Sequence, residues 1–177
     1  MTRFLHRLRP GSLLLALGCV ALLSACGGGG AGSASVEPPP PSGGSMSVGE
    51  RALADEVLRL VNVERVAASL APLQWHEAAS TVAYDHDVDM EARNFFAHVN
   101  PDGQDPLDRV LEAGITGFSA VGENIARGQP SPAAVMSAWM GSTGHRANIL
   151  NPGYTHLGVG VLDTSDIWWT QVFLTLR

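Results

Sequence analysis

The sequence predicts an α/β protein, a three-layer α/β/α sandwich around a central, mainly antiparallel sheet. Three observations carry this. From residue 47 onward, apolar residues recur at helical spacing. Near the end the pattern switches to a period of two. The last segment is apolar on both faces, which asks for cover on both sides of a sheet.

The elements follow in order. Ser47-Val48-Gly49-Glu50 fits a capping box, in which Ser47 and Glu50 satisfy each other's free amides. Leu53, Val57, Leu60 and Val61 form the stripe behind it. Leu70-Ala71-Pro72-Leu73 breaks this helix. A second helix is expected over about Glu77–Asn94, with Ala79, Val82, Ala83, His86 and Met90 facing inward. After the Pro101-Asp102-Gly103 loop, a short helix is expected near Leu107–Ala113. Ser131-Pro132 is a cap followed by proline at the first helical position. Val135, Ala138 and Trp139 are expected to point inward from that helix. In Leu157-Gly158-Val159-Gly160-Val161 the glycines share one strand face and leave room for close packing. Asp163–Asp166 reads as a hairpin connection into the strand Trp168–Leu176.

The start of the chain sets a compartment. Arg3, His6, Arg7 and Arg9 precede an uncharged stretch from Gly11 to Ala25. A membrane span needs about 20 apolar residues, so residues 1–25 read as a secretory signal peptide. Leu23-Ser24-Ala25-Cys26 has the pattern of a bacterial lipobox, which implies cleavage before Cys26 and lipid on its sulfur. The other reading is ordinary cleavage nearby, with a free thiol. Cys19 is a rival attachment site, but bulky Leu17 precedes Gly18-Cys19. Residues 26–46 then form a lipidated, Gly/Ser/Pro-rich linker that cannot bury enough apolar surface to fold, and residues 47–177 form the domain. The expectation is an exported protein held to the membrane by its lipid anchor only. Gly27 rather than Asp after the cysteine points to the outer membrane if the cell has one.

Removing residues 1–25 leaves eight arginines, no lysine and seventeen acids, a net charge of −9. That argues against a nucleic-acid binder, which needs a basic patch. It also leaves no thiol nucleophile and no disulfide in the domain. His76-Glu77-Ala78-Ala79-Ser80 has serine where a zinc protease needs its second histidine. Aligned as a calcium loop, His98–Arg109 puts those two residues where carboxylates are required.

Three runs remain. They are Phe95-Phe96-Ala97-His98-Val99-Asn100-Pro101-Asp102-Gly103, Gly122-Glu123-Asn124-Ile125, and the stretch from Ala138-Trp139 through Gly144-His145-Arg146-Ala147-Asn148 to Ile149-Leu150. With Asn62-Val63-Glu64-Arg65 and Trp169-Thr170-Gln171-Val172-Phe173, their order and spacing closely resemble the bacterial branch of the CAP superfamily of SCP-like extracellular domains. The resemblance covers nearly all of residues 50–175. It implies the CAP fold and an exposed cleft in which two histidines and two glutamates can hold a divalent cation such as zinc. His98 and Glu123 match two of those positions. Trp168 stands where the second histidine is expected, and the second glutamate is missing near Ser142. The bacterial pattern offers His145 instead. His98, Glu123 and His145 suit an open zinc site if they converge.

Each residue has a plainer reading. His98 could tie down its loop, Glu123 could accept backbone amides at the start of a strand, and His145 could cap a neighbouring helix. His86 and His156 read as a satisfied core histidine and a strand residue at the sheet edge. The four tryptophans read as core, and Arg146 and Asn148 as residues that hold their loop in shape. The leading expectation is an envelope module that binds a divalent cation or small ligand, or acts through contacts with a cell-wall, lipid or protein partner, and catalytic activity is left open. A hydrolase using metal-bound water or a His/Glu base is the second. With no third group to orient Ser142 and His145, a serine mechanism ranks low. A lipid or sterol carrier is the third, and its mark would be an apolar groove away from the histidines.

Overall fold

The computed structural model describes residues 44–177. The expected signal peptide, Cys26 and most of the linker lie outside the described residues. Five helices and four strands run in the order α1 (Val48–Ala67), β1 (Gln74–Trp75), α2 (Glu77–Ala92), α3 (Pro106–Glu112), β2 (Phe118–Arg127), α4 (Pro132–Gly141), α5 (Thr143–Ile149), β3 (His156–Asp163) and β4 (Ile167–Leu176). Among the described residues no helix is long and apolar enough to cross a membrane.

The capping box closes on α1: Glu50 N–H donates to Ser47 Oγ at 3.2 Å, and Ser47 N–H to Glu50 Oε2 at 2.7 Å. Ser131 caps α4 ahead of Pro132. Two elements carry no signal in the sequence, namely β1 and α5. A two-residue strand has no period, and Thr143–Ile149 is too short to show a stripe. Val135 and Trp139 are buried as expected, but Ala138 lies exposed, because α4 turns that side to solvent.

The sheet order is β1-β3-β4-β2, with β1 parallel to β3 and the other pairs antiparallel. His156 starts β3 but is not at the rim, because Gln74 of β1 pairs beside it. One face is covered by α1, α4 and α5, whose Val57, Val61, Trp139 and Ile149 pack with Leu157, Val159, Trp169 and Phe173. On the other face, Ala79, Val82 and Ala83 of α2 and Val110 of α3 meet Val172 and Leu174. This is the three-layer sandwich. The glycine face is where α2 sits: a Cβ on Gly158 would fall 2.2 Å from the Ala79 carbonyl carbon, and one on Gly160 2.4 Å from that of Ala83.

Buried polar groups tie the layers. Asn62 exchanges two hydrogen bonds with the backbone of Leu73. Arg65, 1% exposed, has no carboxylate partner among the described residues and donates to the carbonyls of Ala71, Ile149, Asn151 and Tyr154. Four carbonyl acceptors replace the water its guanidinium gave up.

Candidate functional site

β2 is an outer strand, and its alternation decides what meets what. Ile125 packs with Met90 and Trp168 on the α2 side, and Ala126 packs with Trp139 on the α4 side. By the same period of two, Glu123 faces α2 and Asn124 faces α5. Glu123 is therefore in the middle of a strand, not at its start. Gly122 precedes it because Tyr154 crosses there: a Cβ on residue 122 would lie 2.2 Å from the tyrosine oxygen.

Glu123 is the hub. Its side chain is 1% exposed, and its Oε1 lies 2.8 Å from Nδ1 of His98, whose side chain is 49% exposed. Its Oε2 accepts from Arg109 Nη2 at 2.7 Å. A carboxylate facing a guanidinium is an acceptor only, so His98 Nδ1 carries the proton toward it. His98 Nε2 is then the nitrogen with the free lone pair, and it has no partner among the described residues. Arg109 also donates to the His98 carbonyl at 2.9 Å, so one side chain fixes both the acid and the loop that carries the imidazole.

His86 lies directly behind. Its Nε2 bonds the Ala97 carbonyl at 3.1 Å and comes within 3.9 Å of Glu123 Oε1. Burial outweighs the nearby carboxylate and pushes its pKa down to about 4, so His86 is neutral at pH 7. It is the core histidine the stripe implies, yet only one of its nitrogens is satisfied, since Nδ1 has no hydrogen-bond partner among the described residues.

His145 does not join the pair through a hydrogen bond. It belongs to α5, on the opposite face, and its backbone carbonyl accepts from Asn124 Nδ2 at 3.1 Å. Burial and, secondarily, the charge of the His98 ring lower its pKa. His145 sits within its own helix rather than capping a neighbouring one. Asn148, also on α5, donates to the Glu123 carbonyl at 3.0 Å and to Asn124 Oδ1 at 2.9 Å, while Asn124 donates to Gln171 Oε1 at 2.9 Å. Asn148 thus pins α5 to the edge of β2.

Among the described residues, no group of three or more His, Cys, Asp or Glu side chains is gathered for a metal ion. Glu123 spends one oxygen on His98 and the other on a cation, Arg109. The donor set does not fit a three-ligand zinc centre. Glu123 stands behind His98 as an orienting partner and leaves the imidazole Nε2 open. The sequence did not mark Arg109 or His86 for this site, because nothing local in their neighbourhoods signals the pairing.

A groove of about 360 Å³ lies elsewhere, lined by Met140, Gly141, Thr143, Arg146, Ala147 and Leu150. Arg146 lines this groove.

Residues 58–173 match the family model of the cysteine-rich secretory protein family, CAP. This chain belongs to the CAP family. The CAP domain here is similar to the uncharacterised protein YkwD of Bacillus subtilis (strain 168), 44% identical over 123 residues, which is 70% of this chain and 47% of that protein. It is 43% identical over 119 residues to the uncharacterised membrane protein YlbC of the same strain, covering 67% of this chain and 33% of that one. The CAP chain therefore spans half or less of the curated relatives it matches. A solved extracellular protein containing an SCP domain, from Bacillus anthracis str. Ames, superposes with a TM-score of 0.67 at 33% identity, covering 75% of this chain and 45% of that one. An outer surface protein from Borrelia burgdorferi shares the fold, with a TM-score of 0.65 at 18% identity, over 70% of this chain and 92% of its own.

Proposed function

We propose that this CAP domain is an exported cell-envelope module that binds a divalent cation or small polar ligand at its His98 cleft. The observation that carries it is the bond from His98 Nδ1 to the buried Glu123. A buried carboxylate fixes the tautomer and turns a basic nitrogen toward solvent, and that is the arrangement of an imidazole built to bind. Export is supported by the signal-peptide pattern of residues 1–25 and by the extracellular relative with an SCP domain. The test is calorimetry with zinc on metal-stripped protein beside His98→Ala. One-site binding that disappears in the variant supports the reading, and equal binding by both proteins, or none, removes the cation from it.

A hydrolase is the second reading, favoured by the same geometry. His98 Nε2 has the orientation of a general base whose other nitrogen is held by an acid. Ser142, which starts α5 without a side-chain cap bond, has no hydrogen bond to either histidine. Turnover of peptide or ester substrates that is lost in both His98→Ala and Glu123→Gln would favour this reading over simple binding.

A further inference from the structure

The surface around the cleft has a composition of its own. Phe96 and Val99 bracket His98 and are 51% and 50% exposed, and Leu107 and Leu111, one turn apart on α3, are 43% and 53% exposed. These are four of the seven exposed large apolar residues among the described residues, gathered within sixteen positions. The loop and the helix are tied together. Arg109 donates to the carbonyls of His98 and Gln104, and Gln104 Nε2 donates to Glu112 Oε2 at 2.6 Å. Such clusters on a soluble domain mark contact surfaces rather than chance exposure.

The charge on this surface is mainly negative, and its arginines Arg93 and Arg127 are paired with Asp102 and Asp166. Asp102, Asp105, Asp108 and Glu112 all lie on it. Arg109 is turned inward and neutralised by Glu123. Arg93 pairs with Asp102, which leaves three acids without a cation among the described residues. A face of leucine, valine and phenylalanine among carboxylates complements a basic, apolar chain and repels anionic lipid.

We propose that the loop 95–105 and α3 dock a cationic amphipathic peptide segment of a partner protein beside the His98 cleft. Leu107 and Leu111 receive its apolar side chains, and Asp105 and Asp108 face its lysines or arginines. This rests on the reading of the cleft as a binding site, and names the partner that the site admits.

The test uses the purified full chain and a fluorescein-labelled fourteen-residue peptide of leucine and lysine with helical spacing, followed by anisotropy at low and at physiological salt. The expected result is saturable binding that weakens at least tenfold in the Leu107→Asp/Leu111→Asp variant. The same peptide with glutamate in place of lysine should not bind. A Leu107→Ala/Leu111→Ala variant, with unchanged circular dichroism and melting, should weaken it at least threefold, which separates lost docking from lost folding. Equal binding by all variants would show adherence to net negative charge alone and overturn the proposal, as would no binding by the parent chain. Zinc calorimetry on the parent chain and the leucine variants separates the two ideas: a parent that binds zinc but no peptide overturns the docking face alone, a parent that binds peptide but no zinc overturns the cation reading alone, and zinc binding kept in the leucine variants shows that their loss of peptide leaves the cleft intact.

Discussion

Arg109 places Nη2 2.7 Å from Oε2 of Glu123, with the two side chains only 9% and 1% exposed. Each charge has left water for the other, so removing one partner strands a buried charge. Such losses run to about 3–5 kcal/mol, whereas replacing both partners by apolar side chains is often close to neutral. Arg109→Met should therefore lose about 3–5 kcal/mol in urea unfolding. Arg109→Met/Glu123→Leu should recover most of that loss. A double variant as unstable as the single one would show that the two charges are not coupled.

The pH dependence has two opposed sources. The pKa of His86 falls from 6.5 to about 4 on folding, chiefly through burial. The unfolded chain thus holds more protons between about pH 4 and 6.5, and stability rises with pH through that window, then levels. The full span corresponds to about 3 kcal/mol. Asp87 works the other way. It is completely buried, with Thr170 Oγ1 donating to it at 2.6 Å, and burial raises its pKa well above 3.8. The folded state then holds the extra proton, so its contribution falls as pH climbs above 3.8 toward the raised value. Urea midpoints from pH 4.5 to 8 should show a flattened rise in His86→Gln and a flattened decline in Asp87→Asn. An undiminished rise in His86→Gln would remove His86 as its source.

Gly158 and Gly160 are spaced for α2. The atoms that an added methyl would meet are helix backbone, at 2.2 and 2.4 Å, and helix backbone cannot turn aside as a side chain can. Gly160→Ala should cost about 3 kcal/mol, at the upper end of overpacking losses. Differential scanning calorimetry checks this, and a shift of only a degree or two would mean that α2 slides freely over the sheet.

Asn148 protects the outer edge of β2 through its bond to the Glu123 carbonyl. Asn148→Ala should lose about 1–3 kcal/mol, the range for a buried acceptor left unsatisfied. It also frees an edge strand, and free edges template pairing with other chains. Size-exclusion chromatography at rising concentration should show more self-association than the parent. A monomer of unchanged stability would rule out the edge-guard role.

Much of the fold is legible along the chain because its signals are local. Ser47 with Glu50, Ser131 with Pro132, and the alternating glycines near 158–160 each act within a few residues, and each forms as expected. Ala138 departs from expectation because a one-sided stripe on a ten-residue helix leaves its flanks ambiguous. β1 and α5 leave no mark because neither is long enough to carry a period.

The order of the elements and the family can be read without coordinates, since motif order and periodicity are written along the chain, and the family resemblance marks His98, Glu123 and His145 as candidates without showing which of them meet. Folding in three dimensions settles the rest: Arg109 takes the other oxygen of Glu123, His86 stands behind it, and His145 approaches from the opposite face. Those are contacts between residues 14 to 37 positions apart, made or prevented by which side of β2 each residue faces. A period of two in one strand puts Glu123 and Asn124 on different faces of the sheet, and that alternation, rather than residue type, gives Glu123 to His98 and Arg109 and Asn124 to the backbone of α5.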